Sequence, residues 1–282
     1  MYDVSVLMPS IRIHHWARVY AGLMQSSESL KREIIFVGPK PGPQEILDQP
    51  NVKYIEDWGN NNRATQIALI HAEGTYVTPG TDDGHFLLNG LDKLFEAMDA
   101  IGERSPSKMA MGKFLEGPGI MMDEDRYYHC GTHKGGASIY MPPDYFTGGH
   151  YLWHRESLLN DYGGFNMCFE GGAVANTELS YRLQKFGNVQ IQLTDSPMAV
   201  CEHMPGTSGD HAPMHYSQVD YDEPLFIDML QNNTIKQKVD LNDWVNVPAV
   251  WKRRFFDVDV KYEYVKTNKY GREIVECIYE QI

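Results

Sequence analysis

Ala64-Thr65-Gln66-Ile67-Ala68-Leu69-Ile70-His71-Ala72-Glu73-Gly74-Thr75-Tyr76-Val77-Thr78-Pro79-Gly80-Thr81-Asp82-Asp83-Gly84 passes from helix to strand to a pair of carboxylates. Ala64, Ile67, Ala68 and His71 recur at helical spacing, which predicts a helix from Asn60 to Ala72, capped by Asn62 or an earlier Asn. Gly74 closes that helix, and Thr75 to Thr78 reads as a strand. Two adjacent carboxylates beside a glycine at a strand end suit a hard divalent cation. Mg²⁺ or Mn²⁺ takes oxygen ligands and keeps positions open for phosphate oxygens. The competing reading is a helix cap, with the acidic pair favouring the dipole of a next helix over Leu87 to Ile101.

Strand and helix signals also alternate before this run. Val4 to Met8 is a short apolar run stopped by Pro9, and Trp16 to Gln25 follows with helical spacing. Glu33 to Val37 is a strand ended by Gly38-Pro39-Lys40-Pro41-Gly42-Pro43, and Val52 to Ile55 is another. This order predicts an α/β fold with a mostly parallel sheet flanked by helices. Ligands of such sheets sit at the carboxyl ends of the strands. Here those ends are Pro9 to Arg12, Gly38-Pro39, Glu56-Asp57 and Thr81 to Asp83.

Further along, Met109 to Phe114 reads as a strand, Tyr151 to Leu159 as regular structure, and Asn176 to Lys185 as a helix ending at Gly187. Val189 to Leu193 and Met198 to Cys201 are strands, Pro224 to Gln231 a helix, and Val258 to Tyr264 with Glu273 to Tyr279 a hairpin. Residues 115–150 and 204–220 read as loops rich in Gly, Pro and His, the composition of binding loops.

The chain has 282 residues and a formal net charge of −13, which disfavours a general phosphate-binding surface. Residues 235–282 hold nine Lys/Arg and eight Asp/Glu, whereas the first 234 residues carry a net −14. The end of the chain is thus compositionally distinct, and the expected division is 1–220 and 221–282. Four scattered cysteines make no CxxC pair, so neither a zinc ribbon nor a disulfide framework is indicated, and a reducing cytoplasm fits. No apolar run of about 18 residues exists to span a membrane. The N-terminus reads as a first strand and not as a signal peptide.

Ala64-x-Gln66-x-Ala68-Leu69-x-x-Ala72-x-Gly74-Thr75-Tyr76-Val77, followed by Asp82-Asp83, resembles the family-two glycosyltransferases of the GT-A superfamily. Val4 to Pro9 is similar to that family's first strand. Tyr151 to Leu158 with Gly163-Gly164-Phe165 resembles its approach to the acceptor helix. Asn176-Thr177-Glu178-Leu179-Ser180-Tyr181-Arg182-Leu183 resembles its Glu-Asp-x-Asp-Leu-x-x-Arg-Leu element, and Val200 to Ser208 its late strand-then-His segment. The departures are specific. Gln66 stands where Asn is usual, Thr81 where the first Asp of Asp-x-Asp is usual, Gly38-Pro39 where Asp-Asp is common, and Asn176 where the usual base stands.

The resemblance implies a GT-A nucleotide-diphospho-sugar transferase fold with a C-terminal α+β extension. It also implies a metal-dependent, hexosyltransferase-like enzyme that uses a nucleoside diphosphate sugar, with UDP favoured, and inverts at the sugar. Mn²⁺ or Mg²⁺ would rest on Asp83 and His203. The donor site would comprise Pro9, Ser10, Arg12, Glu56, Asp57, Arg63 and Asp82, and the acceptor site Gly148, Gly149, Trp153 and Asn176. Because Asn cannot act as a base, Glu178 is the first choice for that role and Glu170 the second. The competing reading for Glu178 is an ion pair with Arg182 one turn on. Tyr127, Tyr128, Tyr140, Tyr145, Tyr151 and Trp153 suit either a sugar-stacking wall or core packing.

His129-Cys130-x-x-His133 shows no fourth zinc ligand at useful spacing. A sugar-nucleotide transferase on a related sheet would need a Gly-rich loop after the first strand, which Pro9-Ser10-Ile11-Arg12 does not supply. Two rivals stay open: a nucleotide-sugar or glycan-binding protein without catalysis, and transfer to modified DNA bases through Trp251-Lys252-Arg253-Arg254-Phe255-Phe256. That cluster suits a subunit contact equally, making a homo-oligomer through the extension an expectation as well.

Overall fold

The computed structural model describes residues 1–57, 59–117, 128–130, 133–134, 145–147, 150–202, 218–239, 258–267 and 273–281. Chain order begins β1 (Tyr2–Pro9), α1 (Trp16–Gln25), β2 (Arg32–Gly38), α2 (Gln44–Leu47), β3 (Val52–Glu56), α3 (Asn61–His71) and β4 (Gly74–Pro79). It continues with β5 (Gly84–Phe86), α4 (Gly90–Ala100), β6 (Lys108–Met111), β7 (Phe114–Gly117), β8 (Tyr128–Cys130), β9 (His133–Lys134) and β10 (Phe146–Thr147). Then come β11 (Tyr151–His154), α5 (Arg155–Asn160), α6 (Gly172–Gly187), β12 (Gln190–Leu193) and β13 (Ala199–Glu202). A π-helical turn (Gln218–Asp222) runs into α7 (Glu223–Gln231), and β14 (Val258–Thr267) pairs antiparallel with β15 (Glu273–Gln281).

A seven-stranded sheet has the order β12-β6-β11-β4-β1-β2-β3. Every neighbouring pair in it is parallel except those made by β11, which runs antiparallel to β4 and β6. The chain steps outward from β1 through β2 to β3, then returns to place β4 on the other side of β1. That reversal opens a crevice at the carboxyl ends of β1 and β4, where open α/β sheets bind ligands. A second sheet, β5-β13-β7-β8, stands beside it.

Strand alternation divides the core. Val4, Val6 and Met8 of β1 face Trp16, Val19 and Leu23 of α1 and Leu91, Leu94 and Met98 of α4. Leu7, with Ile35 and Val37 of β2, faces Ala64, Ile67 and Ala68 of α3 and Leu179 and Leu183 of α6. A sheet buried on both faces explains the unbroken apolar runs that marked these strands. Each fully buried aliphatic side chain contributes about 1.5–3 kcal/mol.

Two expectations change. The sequence made the helix over Leu87 to Ile101 the next element after Asp83, but β5 comes first and pairs with β13, and α4 starts at Gly90 after Asn89 at φ 56°. A carbon added at Gly84 would sit 2.6 Å from the Val200 carbonyl, so glycine is what lets the turn pack on β13. The acidic pair is therefore not a helix cap. Met109 to Phe114 is two strands in two sheets, split at Gly112-Lys113, where Lys113 N–H donates to Thr194 Oγ1 at 2.9 Å.

The expected boundary after residue 220 falls within the helical run Gln218–Gln231. Phe226, 1% exposed, packs with Phe169, Val174 and Tyr181. Among the described residues no helix is long and apolar enough to cross a membrane.

Candidate functional site

The turn after β1 is wrapped around one carboxylate. Asp82 Oδ2 accepts from Ile11 N–H and Arg12 N–H, both at 2.6 Å, and from Ser10 Oγ at 3.1 Å. Its Oδ1 accepts from the Arg12 guanidinium at 2.6 Å. Ser10 Oγ in turn accepts the Trp16 indole N–H at 2.6 Å, and Trp16 stacks on Phe36 with centroids 3.8 Å apart. His15 Nδ1 donates to the Asp82 carbonyl at 2.8 Å. Charge-assisted bonds of this kind are among the strongest a loop can have.

Glycines make the close packing behind this turn feasible. A carbon on Gly38 would lie 1.7 Å from the Ser10 carbonyl, and one on Gly42 would lie 2.0 Å from the Trp16 ring. Gly38 and Gly42 both lie in the Gly38-to-Pro43 turn after β2.

Asp82 and Ser10 were expected to touch the donor directly. Both are nearly fully buried, at 4% and 2% exposure, with their polar atoms engaged inside the turn. Asp82 holds Arg12 through the latter's backbone N–H and guanidinium, and Ser10 bonds Asp82. The guanidinium sits between the two aspartates, 2.6 Å from Asp82 and 3.9 Å from Asp83, at the mouth of the crevice. Pro9 ends β1 in register with Val37.

Behind the turn, Thr81 Oγ1 lies 3.6 Å from Cys201 Sγ, and Cys201 Sγ lies 3.4 Å from His150 Nε2. The cavity there is about 10 Å³, room for roughly one water molecule.

The second wall lies at the ends of β3 and α3. Arg63 donates to both oxygens of Asp57 at 2.6–2.9 Å, and Gly59 N–H donates to Asp57 Oδ2 at 2.9 Å. Asn60 is the cap of α3, accepting from Arg63 N–H at 2.8 Å. Asp57 N–H donates to the Gly38 carbonyl at 3.1 Å, which brings this wall against the β2 end. Glu56 is exposed beside it. Tyr54 donates to the Gly38 carbonyl at 3.0 Å, and burial, with a lesser push from Glu56, raises its phenol above the usual range.

The acceptor side departs further from expectation. Glu178 is fully buried, and both of its oxygens accept from Arg182, at 2.8 and 3.2 Å. Arg182 also donates to the carbonyls of Tyr162 and Gly164. This is the buried i,i+4 ion pair of the competing reading for Glu178. Trp153, expected at the acceptor, is also fully buried on β11, donating to the Pro106 carbonyl at 2.9 Å and packing on Tyr162. Tyr151 is core as well, while Tyr145 packs on Tyr181.

What does meet on this side is a set of amides. The N-termini of α3 and α6 approach so closely that a carbon on Gly172 would lie 2.9 Å from Asn61 Nδ2 and 3.9 Å from Asn176 Nδ2. Asn62 donates to the Asn166 and Phe169 carbonyls, at 2.9 and 3.0 Å. Glu170 follows Phe169 directly, two residues before α6.

For a divalent metal, the donor set among the described residues fits in one respect. Asp83 offers a carboxylate at the crevice, whereas Asp82 is saturated. No group of three or more His, Cys, Asp or Glu side chains forms a metal cage among the described residues. His203, Gly148, Gly149, Tyr127, Tyr140, His211, His215 and Trp251 to Phe256 lie outside the described residues, as do the side chains of Tyr128, His129, Cys130 and His133.

The seven-stranded mixed sheet, its flanking helices and the crevice at the β1/β4 reversal define a GT-A-like fold. The solved structures it is similar to include S. aureus TarS, at TM-score 0.52 and 14% identity over 89% of this chain. This chain spans only 44% of that one. TarS 1–349 gives TM-score 0.50 at 14% identity, covering 89% of this chain and 73% of that one. TarS 1–349 in complex with UDP gives 0.52 at 15%, covering 86% and 71%. At such identities the likeness is one of fold. No family model matches the sequence, and no curated protein matches it.

Proposed function

We propose that this protein is a glycosyltransferase that moves a sugar, most naturally a hexose, from a nucleoside diphosphate sugar to a hydroxyl acceptor with inversion. The observation that carries this reading is the Asp82-bound turn, which sets Arg12 and Asp83 side by side at the β1/β4 crevice. A fold shared with a UDP complex of TarS supports UDP as the nucleotide. Arg12 would face the diphosphate, and Glu56 with the Asp57–Arg63 pair would face the base.

Mn²⁺ or Mg²⁺ fits Asp83, because such ions take one or two carboxylates and fill their remaining positions with water and phosphate oxygens. His203 is the second ligand in this reading. The ion would neutralise charge on the leaving diphosphate. With Glu178 bound to Arg182, the base role passes to Glu170, which would take the acceptor proton while Asn61 and Asn176 orient the acceptor's hydroxyls. A saccharide is the natural acceptor. The −14 body disfavours extended contact with duplex DNA.

The test is incubation with a panel of nucleoside diphosphate sugars and Mn²⁺, with and without saccharide acceptors. Release of UDP from at least one donor is expected; no release from any donor would sink the enzyme reading. The rival, a nucleotide-sugar-binding protein without catalysis, is favoured by Asn176 at the usual base position. It predicts saturable donor binding with no UDP release.

A further inference from the structure

Asp222 lies beyond the sequence boundary of the catalytic body, yet it is fully buried against that body. Its Oδ1 accepts from Glu170 N–H at 3.0 Å and its Oδ2 from Gly171 N–H at 2.6 Å. These two amides form the approach to α6, whose own N-cap residue, Gly171, has no side chain to cap with. A carbon on Gly171 would stand 3.1 Å from Asp222 Oδ2, so the absence of a side chain there admits the carboxylate. A negative charge at the start of a 16-residue helix is also favoured by the helix dipole.

Asp222 is itself held firmly. It ends the π-helical turn and begins α7, whose Phe226 packs edge-on to Phe169 with centroids 6.2 Å apart. Farther on, Val239 N–H donates to the Tyr162 carbonyl at 3.0 Å, and Lys185 bonds Asn233 at 2.7 Å. Burial raises the Cys168 thiol well above its usual range, and the charges of Glu178 and Asp222 add to the effect. The charge of Asp222 is thus felt at the root of the 168–171 loop.

We propose that Asp222 is a positioning residue that fixes the backbone of Glu170 and Gly171, and through it the Glu170 carboxylate and the α6 N-terminus. The C-terminal segment then completes the acceptor half of the site instead of decorating it. This rests on the proposed transfer reaction only for its catalytic consequence.

The experiment compares wild type with Asp222→Ala and Asp222→Asn, the second keeping one carbonyl acceptor so that a folded variant is available. Three quantities are read: UDP affinity, UDP release from the most active donor of the panel, and amide hydrogen exchange at 170 and 171. The expectation is at least tenfold faster exchange at those amides and at least tenfold lower kcat in Asp222→Ala. UDP affinity should stay within twofold, and Asp222→Asn should be intermediate. Wild-type kcat in both variants, or UDP affinity falling in step with kcat, would overturn the positioning role. If wild type itself releases no UDP, the proposed function fails, and exchange alone decides the clamp: unchanged exchange overturns it, faster exchange sustains it.

Discussion

The two halves of the crevice handle their carboxylates in opposite ways. On the donor half, Asp82 is engaged by backbone N–H groups and Arg12, and its neighbour Asp83 lies 3.9 Å from the same guanidinium. On the acceptor half, the first-choice carboxylate, Glu178, is paired with Arg182, and the position of the usual base is an amide, Asn176. On the proposed function, acidic residues in each half divide into a structural and a chemical member. The structural members are Asp82, which takes backbone and guanidinium donors, and Glu178, whose two oxygens both accept from Arg182.

Breaking the acceptor half should have the largest effect. Glu170→Gln is expected to lower UDP release by about 10²- to 10⁴-fold, the range of general-base catalysis, with the melting temperature unchanged. Glu178→Gln should do the converse. It leaves Arg182 buried without its counter-charge, and unfolding in urea should show a loss of about 3–5 kcal/mol. The fraction that folds should keep its turnover. If Glu178→Gln instead left stability intact and abolished turnover, the two glutamates would have to exchange roles.

The donor half yields a smaller contrast. Asp82→Asn weakens the acceptor for two backbone N–H groups and turns an amide NH₂ toward Arg12, so a loss of about 1–3 kcal/mol in urea unfolding is expected. Asp83→Asn, which alters one 3.9 Å contact to Arg12, should cost less than Asp82→Asn in the same assay. Smallest of all, burial keeps the Cys168 thiol protonated well above neutral pH, so its alkylation in the folded protein at pH 8 should be far slower than after unfolding.

The strands were legible because a sheet buried on both faces writes itself as apolar runs, and Trp16 to Gln25 was legible because one helix face meets that sheet. The Asp82-Asp83 corner was visible as a pattern. Its division of labour was not, because the donors to Asp82 come from residues 70–72 positions earlier. Trp16 read as the start of a helix, and nothing local marks its indole N–H as the partner of Ser10. Glu178 and Arg182 carried a readable signal, the i,i+4 spacing, which is what the structure realises. Asp222 carried none, since its partners lie 51 and 52 residues away and are backbone amides that no side-chain pattern reveals.

On the proposed function, the β1/β4 crevice holds a nucleoside diphosphate through Asp83 and not through Asp82. Calorimetric titration of UDP in the presence of Mn²⁺ tests it most directly. Wild type should bind one UDP per chain, and Asp83→Asn should lose at least tenfold in affinity while melting at the wild-type temperature. No UDP binding by wild type, or undiminished binding by Asp83→Asn, would contradict the account.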